Sequence, residues 1–334
     1  MRGEAVADGP DPAPRPSLAD IGEFAVIDRL VAGRPRQAGV RVGPGDDAAV
    51  VDAPDGRVVI TTDMLVEGRH FRLDWSSPHD VGRKAIAQNA ADIEAMGATP
   101  TAFVVAFGAA PGTPADAAQE LADGMWHEAA LAGAGIVGGD LVASPQWVVS
   151  VTALGDLGGR APVLRGGARA GAVIAVAGDL GRSATGLALF RRGIEGCRGI
   201  GGYEDLRDRH RVPRPPYGQG RIAADAGAQA MTDVSDGLVA DLGHMAAASG
   251  VVMDLDAGAL RADVDAVSAA AQAAGADPWD LVLAGGEDHA LVACFGDGVP
   301  AGWRVIGTVR AGRPAVLLDG IARSGPGGWE SFGR

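Results

Sequence analysis

Apolar positions along the chain switch between a spacing of about 3.6 residues and a spacing of about two, the two periods that mark helices and strands. From Ile21 to Leu30 the spacing is helical. Val40 to Val51 predicts a strand, a glycine turn through Gly43-Pro44-Gly45 and a second strand, and the β-branched run Arg57–Thr62 predicts another that ends in Asp63. Ser77-Pro78 is a helix-start signal, and the Ala-rich stretch from His79 to Met96 predicts a helix closed by Gly97 and Pro100. Ala102 to Phe107 reads as a strand, Ala115 to Leu131 as a helix and Trp147 to Leu154 as a strand. Glycines cluster from Gly155 to Arg160, and the pattern then starts again. Strand Val173–Ala177 and helix Ser183–Arg192 precede a Gly-rich, charged loop that runs to about Pro216, longer than ordinary connections. Helices Gly220–Ala228 and Leu238–Ala248, strand Val251–Leu255, helix Val264–Ala274 and strands His289–Phe295, Trp303–Val309 and Ala315–Leu318 complete the pattern. Alternating strands and helices predict an α/β or α+β sandwich. The expected organisation is a disordered tail over 1–16, rich in Pro with Asp8 and Asp11, and two domains over 17–155 and 156–334.

A length of 334 residues gives each of two domains enough chain for its own core. The charge changes the picture more: Lys+Arg 29 against Asp+Glu 42 leaves a net charge of -13. Such a surplus opposes docking onto nucleic acid or an anionic membrane, so neither is an expected partner. No apolar run approaches the ~18 residues that span a bilayer, and the first residues lack a signal-peptide core. Cys197 and Cys294 form no C-x-x-C pattern, which points to a reducing cytoplasm and away from a disulfide framework or a zinc knuckle. Lys84 is the one lysine in the chain and follows Arg83, so the glycine-lysine pair of a P-loop is missing. A phosphorylated ligand would therefore need some other source of positive charge.

Five acidic segments stand out: Gly45-Asp46-Asp47, Thr61-Thr62-Asp63, Gly138-Gly139-Asp140, Asp233-Val234-Ser235-Asp236-Gly237 and Gly285-Gly286-Glu287-Asp288. Each reads as a glycine- or threonine-flanked turn at or near a strand end, where an aspartate projects into a cleft on a short stem. Any one of them is equally an ordinary turn, since Gly and Asp are favoured there. Together they suit Mg²⁺, which takes hard oxygen ligands and bridges carboxylates to phosphate oxygens. EF-hand spacing is absent. On the helix at 79–96, Lys84, Gln88 and Asp92 fall at i, i+4 and i+8 and share one face with Asn89 beside them, either a solvated polar stripe or a wall of the same site with Asp92 facing Asp63.

Taken in order, Gly43-Pro44-Gly45-Asp46-Asp47-Ala48-Ala49, Thr61 to Phe71 (TTDMLVEGRHF), Ala91 to Ala98 (ADIEAMGA), Val137-Gly138-Gly139-Asp140, Asp233 to Leu238 (DVSDGL) and Gly285-Gly286-Glu287-Asp288 resemble the motifs of the thiamine-monophosphate kinases, from about residue 20 to the C-terminus. The resemblance implies an aminoimidazole ribonucleotide synthetase-like fold of two α/β domains, the N-terminal sheet joining a partner's in a dimeric β-barrel and the C-terminal domain forming an α/β sandwich. It implies ATP-dependent phosphorylation of thiamine monophosphate to thiamine diphosphate by a homodimer. Mg²⁺ ligands would be Asp47, Thr61, Thr62, Asp63, Asp92, Asp140, Asp233 and Asp236, with Asp63 and Asp236 closest to the chemistry. Gly139, Asp140, Arg165 and Ser235 would contact ATP. His70 and Glu287 would contact thiamine monophosphate; apart from the resemblance, the face of Trp329 suits a thiazolium by cation–π attraction. Arg165 is otherwise a surface arginine, His70 a structural histidine, Glu287 an exposed turn carboxylate and Trp329 an anchor of the chain end. The chain departs from the family pattern at His289-Ala290, where Tyr and an acidic residue are common, and at Arg182, which replaces an acidic or polar residue. Selenophosphate synthetase and the hydrogenase maturation protein of the same superfamily would call for an N-terminal Cys or selenocysteine, or a C-terminal Cys, which this sequence lacks. A non-catalytic nucleotide-binding module with the same fold is the alternative from another class.

Overall fold

A computed structural model describes residues 16–35, 37–43, 48–194, 203–322 and 327–328. All of the expected tail except Pro16 lies outside the described residues, as do Asp47, Cys197 and Trp329. Two short helices, α1 (Leu18–Ile21) and α2 (Glu23–Val31), precede a two-stranded pair, β1 (Val40–Val42) and β2 (Val50–Val51). Then β3 (Val59–Val66), α3 (Pro78–Ala95), β4 (Thr99–Ala109), α4 (Ala115–Leu131), β5 (Gly135–Ala143) and β6 (Val148–Asp156) build a four-stranded sheet in the order β3-β6-β4-β5. One face of this sheet packs on α3 and α4 through Phe103, Val105, Phe107, Val149, Val151 and Ala153. No helix among the described residues is long and apolar enough to cross a membrane.

The second half contains β7 (Val173–Ala177), α5 (Arg182–Arg191), α6 (Tyr203–Arg211), α7 (Gln219–Asp225), β8 (Ala230–Asp233), α8 (Leu238–Ser249), β9 (Val252–Leu255), α9 (Ala257–Ala274), α10 (Pro278–Ala284), β10 (Leu291–Phe295), β11 (Arg304–Arg310), β12 (Ala315–Leu318) and β13 (Ile321–Ala322). Seven strands lie in the order β13-β12-β9-β11-β7-β10-β8, antiparallel except for the β12–β9 pair. Strand β7 is buried on both faces, with Ile174 and Val176 in the larger core and Ala175 and Ala177 in a second core shared with Ala95 of α3. A strand covered on both sides carries a continuous apolar run rather than an alternation.

Several expectations are corrected. Gly138-Gly139-Asp140 is no turn: it is the middle of β5, parallel to β4. A Cβ on Gly139 would meet the Val105 carbonyl at 2.1 Å, so the glycine that reads as a breaker is what the close strand approach requires. Thr61-Thr62-Asp63 likewise lies inside β3, which continues to Val66. Helix α6 occupies part of the loop expected up to Pro216; its run of charged residues hides the one buried apolar side chain, Leu206. Strand β8 and helix α10 were each too short to show a period.

Helix α3 positions the site. Ser77 and Asp80 close a capping box at its start, with Pro78 in the first turn. The helix is buried nearly all round: the N-terminal sheet and α4 cover one side, and β8 and α7 of the second half approach the other. At the α3–α7 contact both Glu94 carboxylate oxygens accept backbone N–H bonds, from Gly218 at 2.8 Å and Gly220 at 2.9 Å. A Cβ at Gly220 would meet the Glu94 carbonyl at 1.9 Å. Gly220→Ala should therefore destabilise the protein by about 1–3 kcal/mol, read as a lower urea midpoint; an unchanged midpoint contradicts this tight docking.

Candidate functional site

Alternation along β3 points Thr61 and Asp63 at α3 and Thr62 at the opposite face. Thr61 donates its hydroxyl to Asp92 Oδ2 at 2.8 Å, and the Asp63 amide donates to Asn89 Oδ1 at 2.9 Å. Gln88 Nε2 donates to Asp63 Oδ2 at 3.4 Å. The polar stripe of α3 is thus a buried wall facing β3, and Asp92 stands beside Asp63. Thr62 instead donates to the Val151 carbonyl and accepts from Thr152.

The second half brings its carboxylates to the same place. Asp233, at the end of β8, is buried and pairs with His289 Nδ1 at 3.0 Å. Just beyond it, the amides of Ser235, Asp236 and Gly237 all donate to Asp241 Oδ2 at 3.1 Å, a clasp that fixes the turn carrying Asp236. Burial, then repulsion from Asp233 and Asp63, pushes the Asp92 carboxyl up to about 7. Burial also raises Asp63 and Asp236, with Asp233 adding repulsion to both. Carboxylates from two domains therefore crowd one desolvated end of a cleft and lack a positive counterpart large enough to neutralise them. Among the described residues, no three carboxylate, His or Cys side chains form a metal cage on their own. Mg²⁺ usually takes only one or two carboxylates and completes its shell with water and phosphate oxygens, so hard, mutually repelling oxygens fit Mg²⁺ accompanied by a nucleotide.

Asp140 is not brought to this cluster within one chain. Across the sheet the register aligns Asp63 with Val151, Val105 and Gly139, and aligns Met64 with Ser150, Ala106 and Asp140. Asp140 therefore projects from the face opposite Asp63, three strands or roughly 14 Å away at ~4.8 Å per strand. The expected grouping fails because what read as a strand-end turn is an outer edge strand. Gly139 lies on that same distant strand. Arg165 is exposed and donates from Nε to Thr232 Oγ1 at 3.3 Å, one residue before Asp233. Ser235 lies beside Asp236 on the cleft wall.

A cavity of about 830 Å³ runs from Asp63 and Asp236 past His70, Gln88, Glu287 and His289 to Trp75 and Phe190. His70 accepts from the Val66 amide at Nδ1, 3.0 Å away, which places its ring proton on Nε2. Burial lowers its pKa, so the ring is a neutral donor. Glu287 and His289 both adopt left-handed backbone conformations, φ 66 and φ 53, a strain held by backbone bonds to Ser235 and Val234. Between them, buried Asp288 accepts from the amides of Gly181 at 2.6 Å and Ser183 at 2.9 Å and so ties the loop to the start of α5. Glu287 pairs with Lys84 at 2.8 Å. At the far end Trp75 and Phe190 stack at 5.0 Å, with Arg72 over Trp75 at 4.7 Å and Arg211 over Phe190 at 5.0 Å. Sequence reasoning missed this stack, because its members are scattered from 72 to 211. It noted Lys84 without assigning it a role, although a single lysine in an Arg-rich chain was the available signal. Arg182 joins α5 to α6 through Asp179 and Asp205.

Asp92→Asn tests the crowding. A carboxyl held near 7 in the folded protein binds a proton that the unfolded chain releases near 4, so its contribution to stability falls as pH rises through 7. Without Mg²⁺, the Asn variant should exceed the parent in stability at pH 8 by on the order of 2 kcal/mol, a gap that narrows toward pH 5. Thermal melts at both pH values check this, and a variant less stable at pH 8 contradicts it.

Similarity to known proteins agrees with this architecture. The AIR synthase related protein models match the chain over residues 45–157 (N-terminal domain) and 169–317 (C-terminal domain). The chain is 66% identical over 318 residues to thiamine-monophosphate kinase of Mycobacterium tuberculosis, covering 95% of this chain and 94% of the other. It superposes on the crystal structure of thiamine-monophosphate kinase from Stenotrophomonas maltophilia with a TM-score of 0.76 at 32% identity, over 91% of this chain and 98% of that one. AaThiL complexed with AMPPCP and TMP gives a TM-score of 0.75 at 28% identity, over 94% and 98%. With both domains matched in order and two thirds of its residues shared with one such kinase, the chain belongs to the thiamine-monophosphate kinase family of AIR synthase related proteins.

Proposed function

We infer that this protein transfers the γ-phosphoryl group of ATP to the phosphate of thiamine monophosphate, giving thiamine diphosphate and ADP. One observation carries the reading: a cavity lined at one end by Asp63 and Asp236, a carboxylate from each domain with Asp92 and Asp233 close enough to repel them, and at the other by an aromatic wall of Trp75 and Phe190. Phosphates with their cations suit the first end and heteroaromatic rings the second. A phosphate oxygen of the acceptor attacks the γ-phosphorus, and the bond from that phosphorus to the bridging oxygen breaks, its electron pair leaving on ADP. The acceptor oxygen is already anionic, so no strong general base is needed, and positioning with charge neutralisation is the main task.

Asp63, Asp92, Asp233 and Asp236 would hold Mg²⁺, joined by Asp47 and Thr61 on the strength of the sequence motif. When bound, Mg²⁺ offsets the charge on the facing phosphate oxygens. Arg165 and Ser235 hold the nucleotide phosphates, His70 donates from Nε2 to the acceptor phosphate, and Glu287 accepts from the aminopyrimidine. Trp329 would offer its face to the thiazolium, a reading that rests on the cation–π chemistry of its residue type. A cytoplasmic location is supported by the buried free thiol of Cys294 and by a reaction that draws on ATP.

The outward face of the four-stranded sheet supports a homodimer. Ile60 and Met64 of β3, Val104 of β4 and Val142 of β5 are exposed on one continuous face that no helix among the described residues covers, with Asp140 among them. Packing two such faces into a barrel would bury this apolar surface and set Asp140 at the interface between the two copies.

Incubation with ATP, Mg²⁺ and thiamine monophosphate should yield thiamine diphosphate by chromatography, and Asp63→Asn should reduce kcat by roughly 100-fold or more with no loss of thermal stability. No product from folded protein overturns the function. Met64→Asp should convert the dimer to monomer in light scattering; a parent that is already monomeric at micromolar concentration removes the dimer reading.

A further inference from the structure

The ammonium of Lys84 is a buried charge beside the cavity that the reaction described above does not use. Lys84 is 1% exposed. Its three N–H donors have three acceptors: the His70 carbonyl at 3.0 Å, the His210 carbonyl at 3.3 Å and Glu287 Oε1 at 2.8 Å. His70 belongs to the segment after β3, His210 to α6 and Glu287 to the strained turn before β10. One side chain thus joins two walls of the cavity across the domain boundary.

We propose that Lys84 is a positioning residue for thiamine monophosphate recognition, fixing Glu287 and the His70 segment in the geometry that contacts the substrate. The proposal rests on the kinase reading above. Glu287 Oε1 is engaged by Lys84, and Oε2 lies 3.4 Å from His210 Nδ1, with the side chain still 29% exposed toward the cavity. Burial lowers the His210 pKa to about 3, so this ring is neutral and sets no second positive charge against Glu287; its Nδ1 also lies 3.3 Å from Ser183 Oγ. The charge of Glu287 is accordingly balanced by Lys84 alone among the groups touching it. A balanced, oriented carboxylate offers a hydrogen-bond acceptor for a substrate N–H; it does not offer free negative charge for a cationic ring. Lys84 also holds the His70 carbonyl, so the same contact sets the segment whose ring presents Nε2–H.

The test is steady-state kinetics on the full-length protein with each substrate varied separately. Lys84→Met should raise KM for thiamine monophosphate roughly tenfold or more, while KM for ATP and kcat at saturation change by less than about threefold. Glu287→Gln should raise the same KM, and the Lys84→Met/Glu287→Gln pair should be no worse than Lys84→Met alone, because both changes remove one device. Losses spread equally over both KM values and kcat, or strictly additive in the pair, overturn the positioning role and leave a structural one. Should Lys84→Met fail to fold, the pair, which removes both buried charges, carries the measurement against Glu287→Gln. Turnover by the parent with unaltered KM in Lys84→Met overturns this proposal and leaves the kinase reading standing. A parent without turnover overturns that reading, and calorimetric titration of thiamine monophosphate then decides the role of Lys84 by the same contrast, absence of binding counting against it.

Discussion

Burying a polar helix between two domains is the constraint on which the rest depends. Helix α3 carries Lys84, Gln88, Asn89, Asp92 and Glu94 on turns that would normally face water, and it places most of them in contact with groups from elsewhere in the chain. Burying a charge without a partner costs several kcal/mol, so each of these side chains dictates what must lie opposite. Glu94 finds the amides at the start of α7, and Lys84 finds a carbonyl from each domain together with Glu287. Asp92 finds a threonine hydroxyl, the imidazole of His289 nearby and, above all, other carboxylates. That imbalance is local and lies at the acidic end of the cavity, where cations accompanying a nucleotide would restore neutrality on the proposed function.

A division of labour follows within the turn Gly286–His289. Glu287 faces Lys84, Asp288 caps α5 and His289 pairs with Asp233. Two left-handed non-glycine residues in three positions are costly, at about 1–3 kcal/mol each, and persist because side chains and backbone both hold them. The departure from the family pattern at His289 thus has a structural meaning in this chain: an imidazole here sits against a carboxylate that is expected to bind metal.

The open sheet face and the acidic cleft are connected through strand register. Because side chains alternate, Asp63 and Met64 cannot both serve the cleft, and the row that contains Met64 also contains Asp140. An apolar face that no helix among the described residues covers and a carboxylate stranded on it are two consequences of one arrangement, and the proposed dimer would address both.

The sequence by itself determined the fold class, most of the long elements and the identity of the acidic segments. Ala115–Leu131 and Ala315–Leu318 were legible residue for residue because their periods and boundaries are local. It also established that Lys84, Gln88 and Asp92 share a face, since helical spacing fixes that without any partner. Only the tertiary structure decided that this face is buried rather than solvated, because burial depends on what a distant β8 and α7 bring against it. Strand β5 escaped notice because a glycine pair chosen for close backbone approach has the same letters as a turn. The separation of Asp140 from Asp63, the arginine–aromatic stack spread from 72 to 211 and the three acceptors around Lys84 depend on sheet order and domain docking. Those are long-range pairings, and neither periodicity nor spacing along one chain carries their register.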